Sequence, residues 1–169
     1  MKLTVLGLSG ALMHDASAAL YVDGRLVAAA EEERFTRDKH AKNRMPFNAA
    51  KFCMEFGGVE PGDIDVVAFP FAKVSLLSPA RWHFAKRYWY APERSIDALL
   101  NGNRHFRRNV KRVRGLLDAL GIDWNKIEFD SVEHHIAHAS SAYHLSGFQE
   151  KTAILGIDGK GEYASTFFG

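Results

Sequence analysis

Ala18-Ala19-Leu20-Tyr21-Val22-Asp23-Gly24-Arg25-Leu26-Val27-Ala28-Ala29-Ala30 is the stretch on which the fold turns. Two apolar runs of strand length flank Asp23-Gly24, the dipeptide that best tolerates the left-handed backbone of a tight hairpin turn. Upstream, residues 3–9 form another short run rich in Leu and Val, so three consecutive strands open the chain. The first turn, residues 10–15, carries polar groups between apolar strands and is a candidate site. Downstream, Phe47, Ala50, Phe52, Cys53 and Phe56 fall close to helical spacing. Pro46 is placed at the first helical position and Gly57-Gly58 at the stop. Pro61-Gly62-Asp63 then turns the chain into a strand over residues 65–71, whose Val66, Val67, Ala68 and Phe69 read as buried.

From residue 73 to residue 121 the composition changes. Trp82, Phe84, Tyr88, Trp89 and Tyr90 are interleaved with basic residues, and a helical stretch ends in Leu116, Leu117 and Leu120. Residues 81–114 hold ten Lys or Arg against two acids, Glu93 and Asp97, which predicts a basic helical face. Residues 126–132 read as a strand and 135–145 as an Ala-rich helix. Residues 152–157 read as a buried strand leading into Asp158-Gly159, and 164–168 as a last strand. This order predicts an α/β layer fold, a mixed sheet with helices covering both faces.

With 169 residues, 47% of them hydrophobic and 25% charged, the chain suits one globular domain with a real core. A net charge of +2 does not argue for nucleic acid by itself. The one cysteine, Cys53, sits in an apolar helical pattern as a buried thiol, and no disulfide can form within the chain. No apolar run approaches the roughly 20 residues that cross a bilayer, and no signal-peptide pattern opens the chain, so a cytoplasmic location without membrane contact is expected. The final residues 162–169 read as a strand still in progress, which suggests that further chain completes the sheet.

The sharpest constellation is Glu133-His134-His135-Ile136-Ala137-His138-Ala139. His134 and His138 are four residues apart and share a helix face, so two imidazoles can meet one first-row metal ion. Asp158, about one helix later, is the natural carboxylate donor. His135 could replace His134, being three residues from His138, and the cluster could instead cap a helix or satisfy core hydrogen bonds. Asp158-Gly159-Lys160-Gly161-Glu162 allows close approach of backbone to a phosphate, or is a plain hairpin turn. His14 and Asp15 could present imidazole and carboxylate to a cleft, or be a loop pair in which Asp15 caps a turn. Residues 31–40 are a charged string; Arg37, Lys39 and His40 could hold a phosphate-like anion, or be solvated. The aromatic and basic stretch allows single-stranded nucleic acid, but a helical insertion packed on the protein or on a partner domain explains the same residues.

In order, these motifs are His14-Asp15, the Asp23-Gly24 hairpin, Glu-Glu-Arg-Phe-x-Arg-x-Lys-His ending at His40, His-His-x-x-His-Ala and Asp-Gly-x-Gly-Glu. That order resembles the O-carbamoyltransferase family of nodulation-factor and antibiotic-tailoring enzymes. The resemblance covers both ends of the chain and leaves only about residues 73–121, the helical insertion, without a matching motif. It implies the first part of an actin-like ATPase (ribonuclease H-like) domain, similar to that of tRNA threonylcarbamoyl-adenosine enzymes. It also implies a second, adenylate-forming carboxyl-terminal domain beyond this chain, supplied by that missing portion or by self-association. The implied reaction makes carbamoyl adenylate from carbamoyl phosphate and ATP, then transfers the carbamoyl group to a small-molecule hydroxyl acceptor. By the same resemblance His134, His138 and Asp158 hold a divalent metal, with iron(II) implied. His14, with Asp15, takes the hydroxyl proton; Lys39 neutralises phosphate; and Arg37, His40, Gly159, Gly161 and Glu162 contact the nucleotide. The competing readings are an actin-like sugar kinase or ATPase and a non-catalytic nucleotide- or partner-binding module. Kinases of that architecture hold magnesium through carboxylates and water, so paired imidazoles separate the first two classes.

Overall fold

The computed structural model describes residues 3–10, 14–148, 151–158 and 166–169. They form two compact units, Met1–Pro70 with Arg108–Ser131, and Phe71–Arg107 with Val132–Gly169.

The first unit is built on β1 (Thr4–Leu8), β2 (Ser17–Val22) and β3 (Arg25–Glu31), the antiparallel meander expected from the opening sequence. Asp23 and Gly24 both take positive φ, 50° and 75°, as a two-residue turn matched to strand twist requires. After β3 come a one-turn helix α1 (Glu33–Thr36) and a 3-10 turn (Lys39–Ala41), then α2 (Phe47–Gly57). β4 (Val66–Phe69) returns parallel to β1 and β5 (Glu128–Ser131) parallel to β4, giving the order β3-β2-β1-β4-β5. This is the mixed α/β sheet with flanking helices anticipated above.

Period-two alternation sends Thr4, Leu6 and Leu8 of β1 inward, with Leu20, Val67 and Phe69 beside them. α2 packs on β2 and β3 through Ala49, Ala50, Cys53 and Met54. Cys53 is fully buried; its thiol donates to the Ala18 carbonyl at 3.6 Å, and burial pushes its pKa up, so it is an unreactive core group. Pro46 lies one position before the helix rather than at its first residue and has no side-chain oxygen with which to cap it. The cap comes from Glu32 at the end of β3. This carboxylate, 2% exposed, accepts the Ala49 N–H at 2.9 Å and the Asn48 side-chain amide at 2.6 Å.

In the second unit the insertion forms α3 (Pro79–Arg87) and α4 (Pro92–Asn101), followed by α5 (Arg104–Leu120), which from Arg108 onward belongs to the first unit and buries Val113, Leu116 and Leu117 there. Arg81, counted in the sequence among residues of a basic face, is instead 1% exposed. Its guanidinium donates to the Ala98 and Leu99 carbonyls in the last turn of α4 and to Val74. A cation thereby meets the carboxyl-terminal turn of a helix, where the helix dipole favours positive charge. The unit also holds α6 (His134–Leu145) and the antiparallel pair β6 (Leu155–Ile157) and β7 (Thr166–Phe168). β6 is shorter than the buried strand expected over 152–157. Its Leu155 and Ile157 are 62% and 75% exposed, because a two-stranded ribbon leaves them without a covering layer among the described residues.

Candidate functional site: a histidine-carboxylate centre and a second histidine cluster

α6 begins at His134, so His134 and His138 project from one face, one turn apart. β6 ends at Ile157 and delivers Asp158 to the same place. His134 Nε2 lies 2.7 Å from Asp158 Oδ2; His138 Nε2 lies 3.2 Å from His134 Nε2 and 3.7 Å from the same carboxylate oxygen. One ligand atom from each residue falls within a 4.8 Å cluster. The His134 side chain is 12% exposed, Asp158 33% and His138 59%, so the group opens to solvent on the His138 side.

The donor chemistry permits a direct test of fit. In the tautomers that leave both Nε2 atoms unprotonated, His134, His138 and the Asp158 carboxylate turn three lone pairs toward one point. A cation would accept all three lone pairs at once. Bonds of about 2.0–2.1 Å at tetrahedral angles put ligand atoms roughly 3.3–3.4 Å apart. The 3.2 and 3.7 Å separations bracket that value, and the 2.7 Å contact needs only a small carboxylate shift. The residues therefore fit a metal ion.

Which histidines converge was open in the sequence. The structure brings His134, not His135, to His138 and Asp158. His135 is 2% exposed, its ring 5.9 Å from that of Phe167, and its Nε2 is buried with no hydrogen-bond partner among the described residues. It lines a cavity of about 370 Å³ with His138, Asp158, Ser141 and the apolar side chains of β6. Gly159, Gly161 and Glu162, the expected nucleotide contacts, lie outside the described residues.

The second cluster is in the first unit. His14 Nδ1 donates to Asp15 Oδ2 at 2.6 Å and His40 Nδ1 to Asp15 Oδ1 at 2.8 Å. The Asp15 N–H donates to the His40 carbonyl at 2.7 Å, and the His40 N–H to Glu33 Oε2 at 2.8 Å. The two imidazoles, His40 more than His14, hold the Asp15 carboxyl below its ordinary range. Asp15, Arg37, His40, Ala41 and Asn43 all have positive φ, between 40° and 65°. Asp, Asn and His enter this region more readily than other residues; Ala41 does so at a cost of about 1–3 kcal/mol. Exposed ion pairs such as these return only about 0–1 kcal/mol. Arg37 and Lys39, expected to hold an anion, are exposed and make no side-chain ion pair among the described residues, whereas His40 is engaged by Asp15.

The chain thus carries a mixed α/β sheet in one unit and a histidine-carboxylate cluster in the other. Residues 4–168 match the family model described as Carbamoyltransferase N-terminus, and the chain belongs to that family. It is 34% identical over 168 residues to the nodulation protein NolNO of Sinorhizobium fredii, covering 95% of this chain and 22% of that protein. It is also 34% identical over 166 residues to the uncharacterized protein sll1178 of Synechocystis, covering 96% and 26%. The chain thus spans about a quarter of the length of these relatives. Among solved structures it is similar to YeaZ from Pseudomonas aeruginosa, with a TM-score of 0.44, 17% identity, and 94% of this chain and 55% of that one covered.

Proposed function

We propose that this chain supplies the amino-terminal part of an ATP-dependent O-carbamoyltransferase that passes a carbamoyl group, carried as carbamoyl adenylate made from carbamoyl phosphate and ATP, to a hydroxyl acceptor in natural-product biosynthesis. The observation that carries the reading is the convergence of His134, His138 and Asp158 in a member of this family. These three residues would hold a divalent ion, iron(II) by the resemblance. When bound, such an ion supplies Lewis-acid stabilisation of charge growing on a phosphate or carbamoyl oxygen. His14, oriented by Asp15, accepts the acceptor's hydroxyl proton, as a positioned imidazole does near neutral pH. Arg37 and Lys39 neutralise phosphate, the first as a planar fork and the second as a compact charge. The remainder of the reaction depends on a carboxyl-terminal portion or a second copy.

Elemental analysis of the purified chain beside the His134→Ala, His138→Ala double variant tests the centre. We expect near-stoichiometric metal in the parent chain and at least about tenfold less in the double variant, since two of three ligands are gone. Metal retained undiminished by the variant overturns the assignment.

A further inference from the structure

We propose that His40 is a positioning residue that acts through Asp15 on His14, the three forming a relay in which Asp15 fixes the ring of His14 with Nε2 as its proton acceptor. This deepens, and rests on, the reading of His14 as the base.

The connections run through both atoms of one carboxylate. Asp15 Oδ2 takes the Nδ1–H of His14 and Oδ1 the Nδ1–H of His40, so neither oxygen can rotate away without breaking a bond to the other ring. A carboxylate only accepts, so the shared face of each ring must carry its proton on Nδ1, and the neutral His14 ring then keeps its lone pair on Nε2. That is the base-and-orienter arrangement of acid-base triads, with a second imidazole behind the orienter.

The backbone is built for the same end. The Asp15 N–H is tied to the His40 carbonyl, which fastens Asp15 to the 3-10 turn, and the His40 N–H is tied to Glu33, which fastens that turn to α1. Ala41, next to His40, stands at φ 40°, where it has no polar side chain to offset the cost. A solvated loop would relax; this one is fixed with its imidazole on Asp15. The charged groups near His40 are Asp15 and Glu33, with Asp38, paired to Arg44, and Lys39 on its own turn. Asp15 is the only one of them to receive a proton from its ring.

The tautomer of His14 reads the relay directly, by ring 15N–1H correlation near pH 8.5, about two units above the ordinary imidazole value. In the parent chain we expect the Nδ1–H form to dominate. In His40→Ala the ratio of Nδ1–H to Nε2–H should fall by about threefold or more, toward that of a free imidazole. His40→Gln, whose side-chain amide can still donate to Asp15, should restore most of it, and Asp15→Asn should abolish the preference while leaving the 3-10 turn in place. Circular dichroism of each variant separates this from unfolding. A His14 ring already in the Nε2–H form in the parent chain, or one whose ratio His40→Ala leaves unchanged, overturns the proposal. Failure of the base reading is a separate result: carbamoyl transfer undiminished in His14→Ala would sink that role without touching the tautomer measurement.

Discussion

Glu32 shows how one side chain can be misjudged from its neighbours. It sits in Glu31-Glu32-Glu33-Arg34, a run that reads as solvated, yet it is buried and closes the open end of α2. Its carboxylate offers lone pairs to donors that Pro46 cannot serve. Replacing Glu32 with Ala should cost about 1–3 kcal/mol in urea unfolding, and Glu32→Gln less, because the amide oxygen still accepts one bond. Asp15 makes the opposite case, an exposed carboxylate with a depressed pKa. Its sign is fixed: the stability it contributes is present above the ordinary value near 3.8 and is lost as pH falls through the lowered folded value. Asp15→Asn should therefore flatten the decline of stability as pH falls below that ordinary value, a small effect because the site is open to water.

Helix α2 depends on small residues as well as apolar ones. A methyl group on Gly57 would stand 2.5 Å from Leu20 Cδ2 and 3.4 Å from Val27 Cγ1, and Leu20 is wholly buried. Gly57→Ala should lower stability by about 1–3 kcal/mol in denaturant titration, since the core must shift to admit it. The α3–α4 pair depends on Arg81. Arg81→Met keeps an unbranched apolar stem but removes the hydrogen bonds to Ala98, Leu99 and Val74, and should destabilise the pair by about 2–3 kcal/mol. Hydrogen exchange in the last turn of α4 should quicken accordingly; unchanged protection there would show that the guanidinium is not what holds the turn.

Over the whole molecule the two units differ in what they bury. The first has a sheet whose Leu6, Leu20 and Val67 are fully enclosed, whereas the β6–β7 ribbon of the second leaves Leu155, Ile157 and Phe168 exposed. Amides of β1, β2 and β4 should therefore exchange slowest and those of β6 among the fastest, as measured by mass spectrometry. Slow exchange in β6 would show that something covers it in solution. No helix among the described residues is long and apolar enough to cross a membrane.

The alternation in residues 3–31, the Asp23-Gly24 turn and the i,i+4 histidines were legible because each is a local rule, satisfied by neighbours in sequence whatever the rest of the chain does. The strand order, the choice of His134 over His135, the burial of Glu32 and Arg81 and the seat of His40 on Asp15 were not. Each depends on a partner between 7 and 62 residues away, and only the packed chain brings such partners within hydrogen-bonding reach. A charged residue written in a sequence carries no mark of whether it will meet water or a buried carbonyl. Tertiary structure decides that, because desolvation penalises an unpaired charge and spares a paired one.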